Sequence, residues 1–225
     1  MLNSQSLLRL LQLSSAALPV GAFSYSEGLE TLVQQDRITT VDDLHHWLTQ
    51  ELTYGAIALE GAMLVRAYAA ADQKDWDTLA RWNHWLSAVR ETAELREQSW
   101  QMGRALVRLL VSIAPEIEPA IAASGTPCNF AIAFGIAAAH WHIPNDEALL
   151  GYLHSWASNL INAGVKLVPL GQTQGQALLL SLYPLLDETQ QRILSTPDHE
   201  LKTCGWGLAI ASMAHETLYS RLFRS

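Results

Sequence analysis

The sequence predicts an all-α protein, a single-domain helical bundle of about eight to ten helices that spans residues 1–225. Apolar residues recur at steps of three or four along most of the chain, whereas the alternation typical of strands is nearly absent. The connections between these stripes are short, and a chain of 225 residues can bury a core as one domain. We expect flexible terminal segments near 1–20 and 218–225.

The first half of the chain contains three helical stripes. Thr40 and Asp43 resemble a capping box, which satisfies free backbone groups at a helix start. The prolines between Pro115 and Pro127, together with Gly125, predict one long connection. The stripes are Leu44, Leu48, Leu52, Ala56, Leu59 and Met63; Trp76, Leu79, Trp82, Trp85 and Val89; and Leu106, Leu109 and Ile113.

The second half begins with an apolar stripe that ends at Pro144. Asn145 is a favourable N-cap for the next helix, and Pro169 with Gly171 ends that helix. Another helix is predicted over about 173–183, and the last over about 204–221. The stripes are Phe130, Phe134, Ala138 and Trp141; Leu149, Leu153, Trp156 and Leu160; and Trp206, Ile210, Met213 and Thr217.

Composition limits the classes of partner. A net charge of -8 argues against nucleic acid, whose phosphates require clustered Lys and Arg. Apolar residues make up 49% of the chain and charged residues 16%, so we expect another subunit to cover part of the surface. We find neither a signal peptide nor an apolar run long enough to span a membrane, which predicts a soluble, cytoplasmic protein.

Motifs of common enzyme classes are absent from the sequence. There is no GxxxxGK[ST] loop to bind a nucleoside triphosphate, no GxSxG around Ser24 or Ser26, and no HExxH. The sequence therefore predicts neither an enzyme nor a resident cofactor.

Metal ligation has only weak candidates. His140 and His142 point about 200° apart on a helix, so they can share an ion only if the helix ends between them. Polar histidines at a helix end are the simpler interpretation, and a labile nickel or zinc site is the alternative. Cys128 and Cys204 lack a CxxC pattern and are interpreted as buried thiols.

The most distinctive segment is 18–30, with the sequence LPVGAFSYSEGLE. Two glycines, hydroxyls and two carboxylates lie among apolar and aromatic residues, a mixture typical of neither a core helix nor a solvated loop. We expect a specialised turn that leads into a helix and offers Ser24, Tyr25 and Glu27 to a partner.

A second candidate contact is Lys166, near the end of an apolar helix. Its stem could simply lie along the core, with the ammonium group at the helix C-terminus. Alternatively, it binds a partner beside a polar platform formed by Gln172, Thr173, Gln174 and Gln176. Because no group of that platform titrates near neutral pH, it suits docking better than acid–base catalysis.

The C-terminal segment combines Tyr219, Arg221 and Arg224 with apolar residues. In a structural interpretation, the arginines complement the dipole at the end of a helix. In a functional interpretation, the segment binds a partner, because Tyr and Arg are enriched at protein contacts.

Three segments together resemble the UreF family of urease accessory proteins: LQLSSAALPVGAFSYSEGLE (11–30), AGVKLVPLGQTQGQ (163–176) and MAHETLYSRLFRS (213–225). QMGRAL (101–106) is a weaker match. The resemblance spans 11–225, and the segments are in family order. Leu218 and Ala214 depart from the family pattern, in which glutamine and often a basic residue are expected.

The resemblance implies an all-α homodimer without catalytic activity of its own. It further implies assembly with an accessory protein of the D or H type and with the GTPase UreG, in order to place nickel in the urease apoprotein at the expense of GTP. On the residues alone, two alternatives remain: a small-ligand-binding protein with a tryptophan-lined pocket, and a direct nickel carrier.

Overall fold

The computed structural model describes residues 3–203 and 205–225, and all regular structure in these residues is helical. The all-α prediction is confirmed. The described residues form twelve α-helices, more than the eight to ten expected, together with three short 3₁₀ turns. The helices are α1 (Ser4–Leu13), α2 (Leu29–Gln34), α3 (Val41–Tyr54), α4 (Ala56–Asp72), α5 (Trp76–Val89), α6 (Ala93–Ile113), α7 (Glu118–Ser124), α8 (Phe130–His140), α9 (Asn145–Leu167), α10 (Gln172–Ser181), α11 (Tyr183–Ser195) and α12 (Trp206–His215).

Helix α8 lies at the centre of the molecule, and every residue of 131–139 is buried. Its principal neighbour is α4. The two backbones approach closely because Gly135 has no side chain: a Cβ there would lie 2.5 Å from the Leu64 carbonyl oxygen and 3.1 Å from the Ala67 Cβ. Small residues therefore set the distance between the two central helices.

The capping box at the start of α3 is confirmed. The Thr40 hydroxyl accepts from the Asp43 amide at 3.1 Å, and the Asp43 carboxylate accepts from the Thr40 amide at 3.0 Å. Asn145, in contrast, is the first residue of α9 and does not cap it, because Pro144 occupies the capping position.

The long connection predicted between Pro115 and Pro127 is wrong. A 3₁₀ turn over Pro115–Ile117 leads directly into α7, which packs against α5. Proline at the first positions of a helix costs no hydrogen bond, because those amides have no partner within the helix. Pro115 and Pro119 therefore begin local helices here.

The apolar stripe of the last helix faces outward. Trp206, Ile210 and Met213 are 74%, 59% and 52% exposed, whereas Leu208 and Ala211 are buried. The stripe has helical periodicity, but the small residues of the helix face the molecule instead. Helix α12 packs mainly on α2, and a Cβ at Gly28, just before α2, would lie 3.0 Å from the Ala211 Cβ.

One hydrophobic core connects most of the described elements, from Leu10 in α1 to Phe223 near the C-terminus. Cys128 belongs to this core, where burial raises the pKa of its thiol to about 11. Cys204 lies outside the described residues. Across 3–203 and 205–225, none of the helices has both the length and the apolar character that crossing a bilayer requires.

Candidate partner-binding surface

The segment before α2 is a turn shaped by left-handed backbone conformations. Gly21 and Gly28 have φ values of 77° and 78°, which favour glycine, and Glu27 has a φ of 53°. The Ser24 hydroxyl donates to the Gly21 carbonyl oxygen at 2.7 Å and closes a 3₁₀ turn over Ala22–Ser24. The specialised turn predicted from the sequence is therefore present.

The C-terminal segment is hydrogen-bonded to this turn. Both the amide and the hydroxyl of Ser26 donate to the backbone oxygen of Ser225, at 2.7 and 2.6 Å. The Arg224 amide donates to the Ser24 carbonyl oxygen at 2.8 Å. Two segments separated by almost the whole chain thus form a single surface element.

Glu30, the second residue of α2, fixes the approach of the C-terminal segment. Its carboxylate is buried and accepts hydrogen bonds from the amides of Leu222 at 2.7 Å and Phe223 at 2.9 Å. No sequence pattern distinguishes Glu30, since a glutamate in the first turn of a helix usually has only a dipole role.

His215 connects α12 to both neighbouring helices. It is completely buried, with Nε2 3.3 Å from the Glu30 carboxylate and Nδ1 3.1 Å from the Glu94 carboxylate. The Arg221 guanidinium also lies 3.3 Å from Glu94. Both ring nitrogens of His215 thus face carboxylate oxygens, one on α2 and one on α6.

Lys166 lies in the last turn of α9, as its structural interpretation requires, and is exposed. Its Nζ lies 5.7 Å from the centre of the Phe223 ring, a cation–π contact with the C-terminal segment. Lys166 therefore joins the turn and the C-terminal segment. We call these parts, residues 22–26, 222–225 and Lys166, the composite surface.

The polar platform lies on α10. Gln172, Gln174 and Gln176 are exposed, and the Gln174 side chain accepts from the Gly171 amide at 2.8 Å, so it caps the helix. The described contacts include none that joins these glutamines to Lys166. Their role in docking stays a prediction.

The other predicted contact residues differ in their exposure. Tyr219 and Arg221 are exposed and Ser24 is half-buried, but Tyr25 is buried and donates from its hydroxyl to Gln101 at 2.8 Å. Burial raises the pKa of Tyr25, although the nearby Arg224 opposes this effect. The Tyr25 side chain therefore points into the molecule and anchors the turn to Gln101 on α6.

The Glu27 carboxylate points inward as well. It accepts from Gln98 and from the Trp156 indole, both at 2.9 Å, and burial raises its pKa. It lines a cavity of about 60 Å³ together with Glu60, Arg90 and Tyr152. Arg90 pairs with Glu60, and the Tyr152 hydroxyl donates to Glu60 at 2.6 Å. Glu60 could have been noticed in the sequence as a lone carboxylate within the apolar run of α4.

The candidate metal ligands do not form a cluster in the described residues. Helix α8 ends at His140, whose Nε2 lies 3.5 Å from Glu116, and His142 follows in a left-handed conformation. The helix thus ends between the two histidines, as sharing an ion would require. No group of three or more His, Cys, Asp or Glu side chains arranged to hold a metal ion occurs in 3–203 and 205–225.

Comparison with known proteins agrees with the resemblance found in the sequence. The family model UreF matches residues 38–183. The protein named urease accessory protein UreF from Nostoc sp. strain PCC 7120 is 62% identical over 100% of this chain and 98% of its own length. The protein of the same name from Synechocystis sp. strain PCC 6803 is 50% identical over 100% of this chain and 100% of its own length. That from Azoarcus sp. strain BH72 is 42% identical over 97% of this chain and 95% of its own length.

Proposed function

Because this chain belongs to the UreF family of urease accessory proteins, we propose that it is a non-enzymatic maturation chaperone of urease. In this role it forms a homodimer in the cytoplasm and joins a D- or H-type accessory protein to the GTPase UreG. The assembly supports GTP-dependent insertion of nickel into the active site of the urease apoprotein. The GTPase hydrolyses GTP, and this chain serves as the adaptor.

The observation that carries the adaptor role is the composite surface. Three segments far apart in sequence meet there through backbone hydrogen bonds from Ser26 and Arg224 and the Lys166–Phe223 contact. A surface fixed by backbone contacts presents its side chains at little further entropic cost, which favours binding. Lys166 and Arg221 are exposed on or beside it and available to a partner.

A second observation supports interfaces with further subunits. The exposed face of α12, formed by Trp206, Ile210 and Met213, has the apolar and aromatic composition of interface cores. Leu8 and Leu11 expose a similar face on α1. Dimerisation and binding of an accessory protein would each cover apolar surface of this kind.

The experiment is size-exclusion chromatography with light scattering on this chain, first alone and then with the D-type accessory protein and UreG of the same genome. We expect a dimer alone and a larger stoichiometric complex with both partners. A monomer that binds neither partner would contradict the adaptor role. GTP-dependent activation of urease apoprotein by nickel, with and without this chain, then tests the maturation role.

The two alternatives are tested with the same preparation. A small-ligand-binding protein would show saturable quenching of tryptophan fluorescence. A direct nickel carrier would bind nickel stoichiometrically and lose that binding on substitution of His140 or His142. We expect neither result.

A further inference from the structure

Three arginines surround one depression of about 320 Å³ beside the composite surface. Arg104 and Arg108 project from α6, Arg224 comes from the C-terminal segment, and residues 19–21 of the turn complete the lining. The chain as a whole has 14 Lys and Arg against 22 Asp and Glu. Three of the 14 cationic residues of an acidic chain therefore lie around one depression.

The charges of this depression are only partly neutralised. Arg104 lies 2.7 Å from Glu97, whereas the Arg224 guanidinium donates to the neutral Gln101 side chain at 3.4 Å and lies beside the Tyr25 hydroxyl. Arg108 is exposed and makes neither a hydrogen bond nor an ion pair within the described residues. Arg66, Arg90 and Arg221, by comparison, each pair with a carboxylate elsewhere in the molecule.

Two exposed apolar side chains are close in sequence to residues that line the depression. Phe23 adjoins the lining residue Ser24 and is 68% exposed, and Leu222 precedes Arg224 by two residues and is 65% exposed. Aromatic side chains and arginines are enriched at protein interfaces. Nucleic acid would require a more extended basic surface than three arginines on an acidic protein.

We propose that Arg104, Arg108 and Arg224 bind an acidic segment of a protein partner. Aspartate or glutamate side chains of that segment form charge-assisted hydrogen bonds with the guanidinium groups, and an apolar neighbour packs on Phe23. This inference rests on the proposed function, since the partner is one of the accessory proteins or the urease apoprotein. The attraction accelerates association and weakens with salt.

The test compares dissociation constants of the full chain with each partner at low and high salt. The test variant is Arg104→Glu with Arg108→Glu, and Arg104→Lys with Arg108→Lys retains the charge. Arg81→Glu is the matched control, because Arg81 is an exposed arginine on α5 that stacks on Trp82. We expect the double Glu variant to bind one partner about 10–100-fold more weakly and with less salt dependence. The Lys variant and the control should stay within a few-fold of wild type.

The possible outcomes separate this inference from the proposed function. Equal binding by wild type and the double Glu variant would overturn the acidic-segment site and leave the adaptor role standing. A wild-type chain that binds none of the proteins would overturn both. If circular dichroism shows that the double variant is misfolded, Arg108→Glu alone is measured, because the Arg108 side chain makes no ion pair or hydrogen bond in the described residues that folding would lose.

Discussion

Replacing His215 by alanine removes the buried side chain that lies between two carboxylates. Loss of one partner from a buried charged contact typically costs about 3–5 kcal/mol, because the remaining carboxylate stays desolvated. Glu30 retains the amides of Leu222 and Phe223, and Glu94 retains Arg221, so part of this penalty is offset. We therefore expect the free energy of unfolding to fall by about 3 kcal/mol, the lower end of that range.

Urea unfolding at pH 7 measures this change. For a slope of about 2 kcal/mol per molar urea, the midpoint should fall by about 1.5 M. His199→Ala is the control, because His199 is exposed and its contact with Glu200 spans 3.7 Å; exposed pairs contribute less than about 1 kcal/mol. Trypsin should also cleave after Arg221 faster in His215→Ala, as the C-terminal segment loosens. A midpoint shift below about 0.5 M at an unchanged slope would refute the reasoning.

Three further predictions concern other parts of the molecule. Gly135→Ala should lower the free energy of unfolding by about 1–3 kcal/mol, because the added Cβ would lie 2.5 Å from the Leu64 oxygen. Gly207→Ala is the control: an added Cβ there meets nothing within 4 Å, so the free energy of unfolding should rise by up to about 1 kcal/mol. Burial raises the pKa of Glu51 from 4.5 to about 7. Its contribution to stability is therefore present below pH 4.5 and lost as pH rises through 7. Urea unfolding of Glu51→Gln should match wild type at about pH 4 and exceed it at about pH 8, by up to about 3 kcal/mol. Lys166→Ala should weaken binding of UreG in a pull-down. Thermal unfolding should show a loss of only about 0.5–1 kcal/mol, the value of an exposed cation–π contact. A loss of stability as large as the loss of binding free energy would favour the purely structural role.

Local sequence patterns predicted the elements whose chemistry is local. The Thr40–Asp43 capping box needs only four consecutive residues, and Pro169 with Gly171 ends α9 regardless of its neighbours. The turn before α2 was predicted for the same reason, since Gly21 and Gly28 supply left-handed conformations that few other residues adopt.

Periodicity alone could not show which apolar stripe faces the core. On α12, Trp206, Ile210 and Met213 repeat at helical spacing yet face outward, because close packing beside Gly28 admits only small residues such as Ala211. In a single sequence, apolar residues at helical spacing look the same whether they face the core or the surface.

The sequence by itself determined the helical class, the family and the three segments that distinguish this chain, because propensity, capping and motif order are properties of neighbouring residues. Only the tertiary structure decided that two of those segments join through Ser26 and Ser225, that Tyr25 and Glu27 point inward, and that His215 bridges Glu30 and Glu94. These contacts link residues up to 199 positions apart. Their partners are selected by how the helices pack, and no local pattern encodes that choice.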